Sequence, residues 1–588
     1  MSKTVADFIV ARLSDWGVRR VFGYPGDGIN GVMGALARAQ DRIEFVQTRH
    51  EEMAAFMACG HAKFTGEVGT CIATSGPGAM HLLTGLYDAK ADSQPVVAIV
   101  GQQARSALGA HYQQEADLVS LFSDVANEYV QMVTVASQAR HVVDRAYRIA
   151  ISQRTPTCII LPSDVQELPF TPPSHEHGSV HSGAGYAAPR VTPDPAQLQR
   201  AADVLNAGKR VAMLIGAGAA RAADEVLEVA DVLGAGIAKA LLGKPVLPDD
   251  LPNVTGGIGL LGTNATQAMM ANCDTLLMIG SRFPYAEFLP KEGDARGVQI
   301  DIDGRMMSMR YPMEVNLVGD SALTLRALLP LLERKTERDW ARKIEKHVED
   351  WWNTLERRAM QDAQPLNPQR VLWELSPHLP DRAMVACDTG TTVHWYSRDL
   401  KLRKGMQAAH SGNLASMGAA MPYALAAKFA YPDRVAIALV GDGAMQMNGI
   451  NELITLAKYW KSWRDPRFVI LVMNNGDLNM VTWEQRILEG DPKFAGSQDV
   501  PPFSYAGLAK LLGFDSVVVD HPSQLTDTWA DVFRHDRPIL VEAMVDPDVP
   551  PLPPHITVKQ ARHYLMALMK GDADALSIVR ASMKQMFA

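Results

Sequence analysis

Asp442 stands between two glycines, Gly441 and Gly443, and 33 residues later the chain carries Asn475, the second of a pair with Asn474. Glycines let a backbone approach a phosphate closely, and a carboxylate is a hard oxygen ligand for a divalent cation. Magnesium prefers octahedral oxygen geometry and is usually held by few protein groups plus substrate phosphates, which one carboxylate and one amide would satisfy. Either motif alone reads as an ordinary turn. What joins them is position: each follows a short continuous apolar run, Val435 to Val440 and Phe468 to Met473, of the kind that forms a buried parallel strand. Between the runs Ile450, Leu453, Ile454 and Ala457 recur at helical spacing. Strand, helix and strand in this order place Asp442 and Asn475 at one edge of a parallel sheet, where α/β proteins bind ligands. The expectation is a diphosphate and a magnesium ion held there.

The elements that must carry this edge repeat along the chain. Strand-like runs alternate with helical patterns: Gly69 to Ala73 and Val96 to Val100, then Val211 to Ile215 and Thr275 to Ile279, then Ala383 to Cys387 and Val435 to Val440. This alternation predicts an α/β protein of three doubly wound parallel-sheet domains, and 588 residues fit about three or four domains. Two composition shifts mark the boundaries. Prolines, glycines, serines and histidines crowd from Pro169 to Pro195 as in a surface linker, and a charged helical stretch with Trp340, Trp351 and Trp352 lies between Glu333 and Pro368. The expected domains are 1–180, 190–335 and 360–550, with a tail at 551–588.

Composition narrows the function classes. Hydrophobic residues make up 47% and charged residues 21%, as in ordinary soluble proteins. A net charge of −8, with no basic patch interleaved with aromatics, gives no reason to expect nucleic acid. The five cysteines lack metal-ligand spacing, which predicts a reduced, cytoplasmic protein. The first ten residues have no apolar core of signal-peptide type, and no stretch approaches ~18 apolar residues.

Motifs in all three blocks resemble the pyruvate oxidase and acetohydroxyacid synthase family of thiamine diphosphate enzymes, whose order is pyrimidine-binding, central FAD-type and diphosphate-binding domains. In the first block Thr48-Arg49-His50-Glu51-Glu52 resembles the segment holding the family's catalytic glutamate, at Glu51. A carboxyl against the pyrimidine would promote loss of the cofactor's reactive proton. By spacing alone Glu51-Glu52 reads as a helix N-terminal charge pair. Thr74 to Gly78 is similar to the loop beside the cofactor. In the third block Gly390-Thr391-Thr392 is similar to a diphosphate-binding turn, and Ala415-Ser416-Met417 to the segment whose apolar side chain supports the bent cofactor. Gly441-Asp442-Gly443-Ala444 is similar to the metal loop, and the resemblance implies Asp442, Asn475 and Asp477 as Mg2+ ligands and Val481 as a further cofactor contact. The spacing from Asp442 to Asn475 exceeds the family's, the excess falling in Lys458 to Asp465; such an insertion is expected on the surface, near a partner subunit.

The central block resembles the FAD-binding segments of pyruvate oxidases at Ile258-Gly259-Leu260-Leu261, at Gly280-Ser281-Arg282-Phe283-Pro284, around Ile300 and at Gly319-Asp320. FAD is thus implied, with Arg282 pairing its diphosphate; a relative that keeps the domain without flavin is the alternative. Past the metal loop, Leu478 to Glu484 resembles the substrate-facing stretch. Glu484 aligns with a glutamate of the oxidases, Met480 with a position often Met in the synthases, and Asn479 stands where glycine is usual. Gln114 keeps a family glutamine, whereas Gln113 replaces an expected aromatic. The resemblance implies Glu51, Gln114, Met480 and Glu484 as catalytic residues in oxidative decarboxylation of pyruvate or a similar small 2-oxo acid, with electrons passed to quinone or oxygen. An acetolactate synthase-type carboligase, its flavin structural or absent, is the alternative. The family's site lies between subunits, implying a homodimer or homotetramer. Leu576, Val579, Met583 and Met586, with Arg580 and Lys584 between them, predict a cationic amphipathic helix. The segment Pro551 to Lys570 resembles the tail by which quinone-reducing pyruvate oxidases reach a membrane, so peripheral contact at the inner membrane surface is a further expectation, with packing on the protein itself as the alternative.

Overall fold

The computed structural model describes residues 3–554 and 556–587, the side chains of 586 and 587 excepted. Three six-stranded parallel sheets follow one another along the chain. The first runs Glu44–Gln47, Arg20–Gly23, Gly69–Ala73, Val96–Gln102, Pro156–Pro162 and Val130–Met132. The third runs Gln407–His410, Met384–Cys387, Ala436–Gly441, Phe468–Asn474, Ile539–Met544 and Asp515–Val519, so both place their strands in the order second, first, third, fourth, sixth, fifth. The central sheet has another order: Val315–Val318, Arg296–Asp301, Thr275–Ile279, Val211–Ile215, Gly236–Lys239 and Val254–Gly257. The inner strands are continuous apolar runs because helices cover both faces of a parallel sheet. Residues 168–194 carry no helix or strand. The tryptophan-bearing stretch is the helix Asp339–Ala359; its Trp340 indole donates to the Val211 carbonyl at 2.9 Å and anchors the helix on the central domain.

First and third domains share one apolar core. Its axis is the contact between helices Glu51–Thr65 and Ala420–Ala430, both buried nearly all round and rich in alanine. Gly60 permits the close approach: a Cβ there would lie 2.8 Å from Tyr423 Cδ1 and 3.0 Å from Tyr423 Cα. The insertion at Lys458 to Asp465 lies largely at the surface as expected, with one aromatic turned inward. Trp463 is buried, 5.3 Å between ring centroids from Phe429 and 6.3 Å from Phe468, while Lys461, Ser462 and Arg464 stay outside. Tyr459 accepts from the Gln47 amide at 2.8 Å, so the insertion packs on the first domain of its own chain. Burial of large aromatic surface explains why Trp463 points inward.

Helix Ile450–Tyr459 packs Ile450, Leu453 and Ala457 on the core as its pattern predicts, but buries a wider face than the pattern shows. Leu453 and Leu456 are buried together with Glu452 and Thr455, whereas Ile454 is exposed. Glu452 faces the turn at Arg49, near Tyr459 and Lys458. Neither carboxyl oxygen completes a hydrogen bond, although the Thr455 hydroxyl and Arg49 amide lie close enough to temper the cost. Burial pushes this carboxyl from 4.5 up to about 8.

The tail folds back on the protein. Arg486, buried, holds Asp572 through two hydrogen bonds of 2.8 and 3.0 Å and Asp574 at 3.0 Å. Helix Ala575–Phe587 buries Ile578, Ser582 and Gln585, and main-chain carbonyls of Lys584 and Gln585 accept from Gln361 and Arg358. Leu576 and Met583 of the expected apolar face are exposed, and the Met586 side chain lies outside the described residues. Among the described residues, no helix is long and apolar enough to cross a membrane.

Glu452 carries a consequence for stability. Its carboxyl stays protonated in the fold between pH 4.5 and about 8 while the unfolded chain has released the proton, so stability falls as pH rises through that window. Glu452→Gln is expected to match the parent's melting temperature near pH 5 and to exceed it by about 2–4 °C at pH 8. Thermal scans at both pH values check this; equal shifts at both would contradict it.

Candidate active site

Strands Ala436–Gly441 and Phe468–Asn474 pair in parallel with Gly441 opposite Met473, which brings the two loops that follow them together. Asp442 accepts from the amides of Gly443 at 2.8 Å, Asn475 at 3.0 Å and Gly476 at 2.6 Å. Burial nevertheless pushes its carboxyl up to about 6, and an adjacent cation would favour the ionised form. The Asn475 side-chain oxygen accepts from the Asp477 amide at 3.0 Å. The Asp477 carboxylate receives Thr482, Asn479 and Lys493, at 2.9, 3.0 and 3.2 Å, and so braces the loop.

The edge is open at its glycines. A Cβ on Gly390 or Gly476 would meet nothing within 4 Å, and one on Gly441 would meet only Thr392 Oγ1 at 3.5 Å. Gly390, at φ 115°, precedes helix Thr391–Arg398, whose N-terminal amides favour an anion. Met417 closes one side, its Cε 3.4 Å from where a Gly443 Cβ would stand. Ala415 before it holds φ 55° and Gly418 after it φ 87°. Ala444 is buried behind the loop, Ser416 and Met480 are half-buried, and Val481 and Glu484 lie on the open side of helix Asn479–Glu484. Partial burial raises the Glu484 carboxyl. Both this helix and the metal loop run into short π-helical segments, Gln485–Glu489 and Met445–Gly449, a distortion frequent at functional sites.

A second cluster forms on the first domain. His50 caps helix Glu51–Thr65 by accepting from the Glu52 amide, which sets Glu51 as the first helical residue, where the helix dipole favours its charge. Glu51 is 8% exposed and hydrogen-bonds His81 Nδ1 at 2.9 Å; the His50 and His81 rings lie 4.4 Å apart. Gly78 lets the Thr74 to Gly78 loop approach, since a Cβ there would stand 3.1 Å from Glu51 Oε1. Gln114 lies over Gly76 and accepts from Ser75 at 3.4 Å, while Gln113 is exposed. The sequence reading missed His81; its position one turn beyond Gly78 was the available signal. Among the described residues, no hydrogen bond or ion pair joins Glu51, Ser75 or Gln114 to Asp442, Asn475 or Met417.

The central sheet presents a third edge. Gly216, Gly218 and Gly280 meet backbone to backbone, and Gly259 lies against Phe283, so the segments Ile258 to Leu261 and Gly280 to Pro284 adjoin. Arg398 of the third domain donates to the carbonyls of Leu260 and Gly262, and Ser397 to that of Leu261. A cavity here is lined by Met278, Ser281, Arg282, Gln299 and Met306. Arg282 pairs with Asp303 at 3.1 Å and donates to Ser93 at 2.8 Å. Arg154 and Arg221 stand near it, and desolvation with the like charges lowers Arg154. Both were missed, because they come from separate domains and follow no motif. The Ile300 side chain is buried in the core, and Asp320 caps a helix, accepting from the Leu323 amide at 2.9 Å.

Comparison with known proteins fits this three-part layout. Residues 3–121 match the N-terminal thiamine pyrophosphate-binding domain, 198–328 the central domain and 388–543 the C-terminal thiamine pyrophosphate-binding domain of the thiamine pyrophosphate enzymes. The thiamine pyrophosphate-containing protein YdaP of Bacillus subtilis is 34% identical over 585 residues, 99% of this chain and 98% of its own. The chain belongs to the thiamine pyrophosphate enzyme family. Acetolactate synthase isozyme 3 large subunit of Escherichia coli is 30% identical, over 92% of this chain and 94% of its own, and pyruvate oxidase of Lactiplantibacillus plantarum 28%, over 92% and 88%. For a thiamine pyrophosphate enzyme the Asp442 edge supplies what the diphosphate end needs: open glycines, a helix N-terminus, and a carboxylate and amide to hold Mg2+. Asp442→Ala is expected to weaken Mg2+-dependent binding of thiamine pyrophosphate roughly a hundredfold. Calorimetric titration with Mg2+ and with a chelator checks it, unchanged affinity being the contrary result.

Proposed function

We propose that this thiamine pyrophosphate enzyme oxidatively decarboxylates pyruvate or a similar small 2-oxo acid, with FAD bound at the central edge taking up two electrons and passing them to quinone or oxygen. The bound thiamine cofactor would supply the nucleophilic carbon and accept the electron pair left when carbon dioxide departs. Glu51 holds a carboxyl where the pyrimidine ring would contact it, Met417 supports the ring, and Gln114, Met480 and Glu484 line the approach of the oxo acid. The observation that carries the flavin is the grouping of Arg154, Arg221 and Arg282 at the glycine-rich edge of the central sheet, positive charge that would suit a dinucleotide diphosphate. A second reading, carbon–carbon bond formation of acetolactate synthase type, is favoured by the comparable identity to a protein of that name and by Met480.

Pyruvate assayed with an artificial electron acceptor separates the two. Acceptor reduction with flavin absorbance in the purified protein is expected; acetolactate formed without acceptor reduction would select the second reading. Glu51→Gln is expected to lower either turnover by about a hundredfold or more with the fold intact, and unchanged turnover would remove the role.

We propose further that the site is completed by a second copy of the chain, Glu51 of one subunit meeting Asp442 of the other. Mixing Glu51→Gln with Asp442→Ala subunits should then restore about a quarter of the parent activity, since half of randomly paired dimers hold one intact site. No recovery after subunit exchange would argue that each chain builds its own site.

A further inference from the structure

The loop from Ser411 to Gly418, which delivers Met417 to Gly443, is held from outside its own domain. Asp92, on the first domain, accepts from the amides of Gly412 and Asn413, both at 2.8 Å, and from the Asn413 side chain at 3.2 Å. Asp88, one helical turn earlier, accepts from Ser411 Oγ at 2.6 Å. Ser411 Oγ in turn accepts from the Ser416 amide at 2.8 Å, so one hydroxyl links the first domain to the residue preceding Met417. Lys63 binds the pair together: its ammonium donates to Asp92 at 2.7 Å, to Tyr423 Oη at 2.8 Å and to the His410 carbonyl at 2.7 Å, and lies 3.4 Å from Asp88. Tyr423 also hydrogen-bonds Asp88. The Lys63, Asp88 and Asp92 side chains are all but excluded from solvent. At its other end the loop is fixed by Asp388 of its own domain, which accepts from Gly418 at 2.8 Å and Ala420 at 3.2 Å.

Between these anchors Ala415 adopts φ 55°, a conformation that an alanine keeps only when its surroundings over-determine it. We propose that Lys63, Asp88 and Asp92, acting through Ser411, are positioning residues that hold Met417 in register with the Gly441-Asp442-Gly443 loop and thereby set the affinity for thiamine pyrophosphate. None of the three touches the cofactor edge. Buried ion pairs with every donor engaged lend geometric definition more than stability. Without the Asp92 and Ser411 contacts, Ala415 can relax to ordinary backbone and Met417 moves off Gly443.

The proposal rests on the placement of the cofactor at the Asp442 edge, so the parent protein is titrated with thiamine pyrophosphate and Mg2+ alongside the variants. Asp92→Asn removes the charge that gathers four donors, and Ser411→Ala removes only the hydroxyl link, which leaves the ion cluster intact and keeps the test usable where Asp92→Asn fails to fold. Ser411→Ala is expected to raise the dissociation constant about tenfold at a temperature where the apoprotein remains folded. Hydrogen exchange should quicken at the Gly412, Asn413 and Ser416 amides and stay unchanged in helix Glu51–Thr65. A residue of merely structural importance would lower the melting temperature without altering the constant. Parent-like affinity in Ser411→Ala, with parent-like exchange of the loop, overturns the proposal. Failure of the parent itself to bind overturns the placement of the cofactor instead.

Discussion

The packing of helix Glu51–Thr65 against helix Ala420–Ala430 is the constraint on which the rest of the molecule depends. Each helix leads directly out of a segment that carries chemistry: Glu51 opens the first, and the Ala415 to Met417 loop precedes the second. Because Gly60 and the alanines let the two backbones approach closely, the distance between these segments is fixed by a dry apolar contact with little freedom to slide. Polar groups then sharpen that contact. Lys63 and Asp88 reach across it to Tyr423 and Ser411, and the Tyr459 and Glu452 face of the helix after the metal loop closes over the turn at Gln47 to Arg49.

The same contact explains why some groups are buried at a cost. A carboxyl such as Glu452, kept protonated by its surroundings, is tolerated because the helix that carries it must face the first domain to bury Leu453 and Leu456. Arg486 shows the complementary solution, a charge enclosed with two carboxylates that satisfy it. In the first case a proton removes the charge; in the second a counter-ion balances it.

Much of this was legible in the amino-acid order. Apolar runs that end in glycine turns located the sheet edges, and the union of Asp442 with Asn475 followed from strand, helix, strand alone. What escaped were relations between distant segments. His81 follows the Thr74 to Gly78 loop by one turn, but its meeting with Glu51 comes from packing, and Arg154 and Arg221 gather beside Arg282 only after domains pack. Side chains also take up local duties that no motif announces: the Asp320 carboxylate caps a helix and that of Asp477 receives three neighbouring donors. The insertion at Lys458 to Asp465 lies mostly outside, as its polar composition implied, with Trp463 turned inward. The tail forms the helix its pattern implied, with Ile578 buried and Leu576 and Met583 outside.

The shared strand order of the first and third sheets has a consequence for how the chemistry is divided. In each, the second strand leads to a buried helix, through Glu51 in one and the Met417 loop in the other; the third strand opens into a glycine turn, Thr74 to Gly78 or Gly441 to Gly443. The fourth strand leads towards Gln114 in one and Asn475 in the other. Each functional segment thus has a counterpart at the same topological station. One strand order is used twice in a single polypeptide, and the two copies differ in what their loops present, Glu51 and Gln114 in one and Asp442 and Asn475 in the other, rather than in the scaffold.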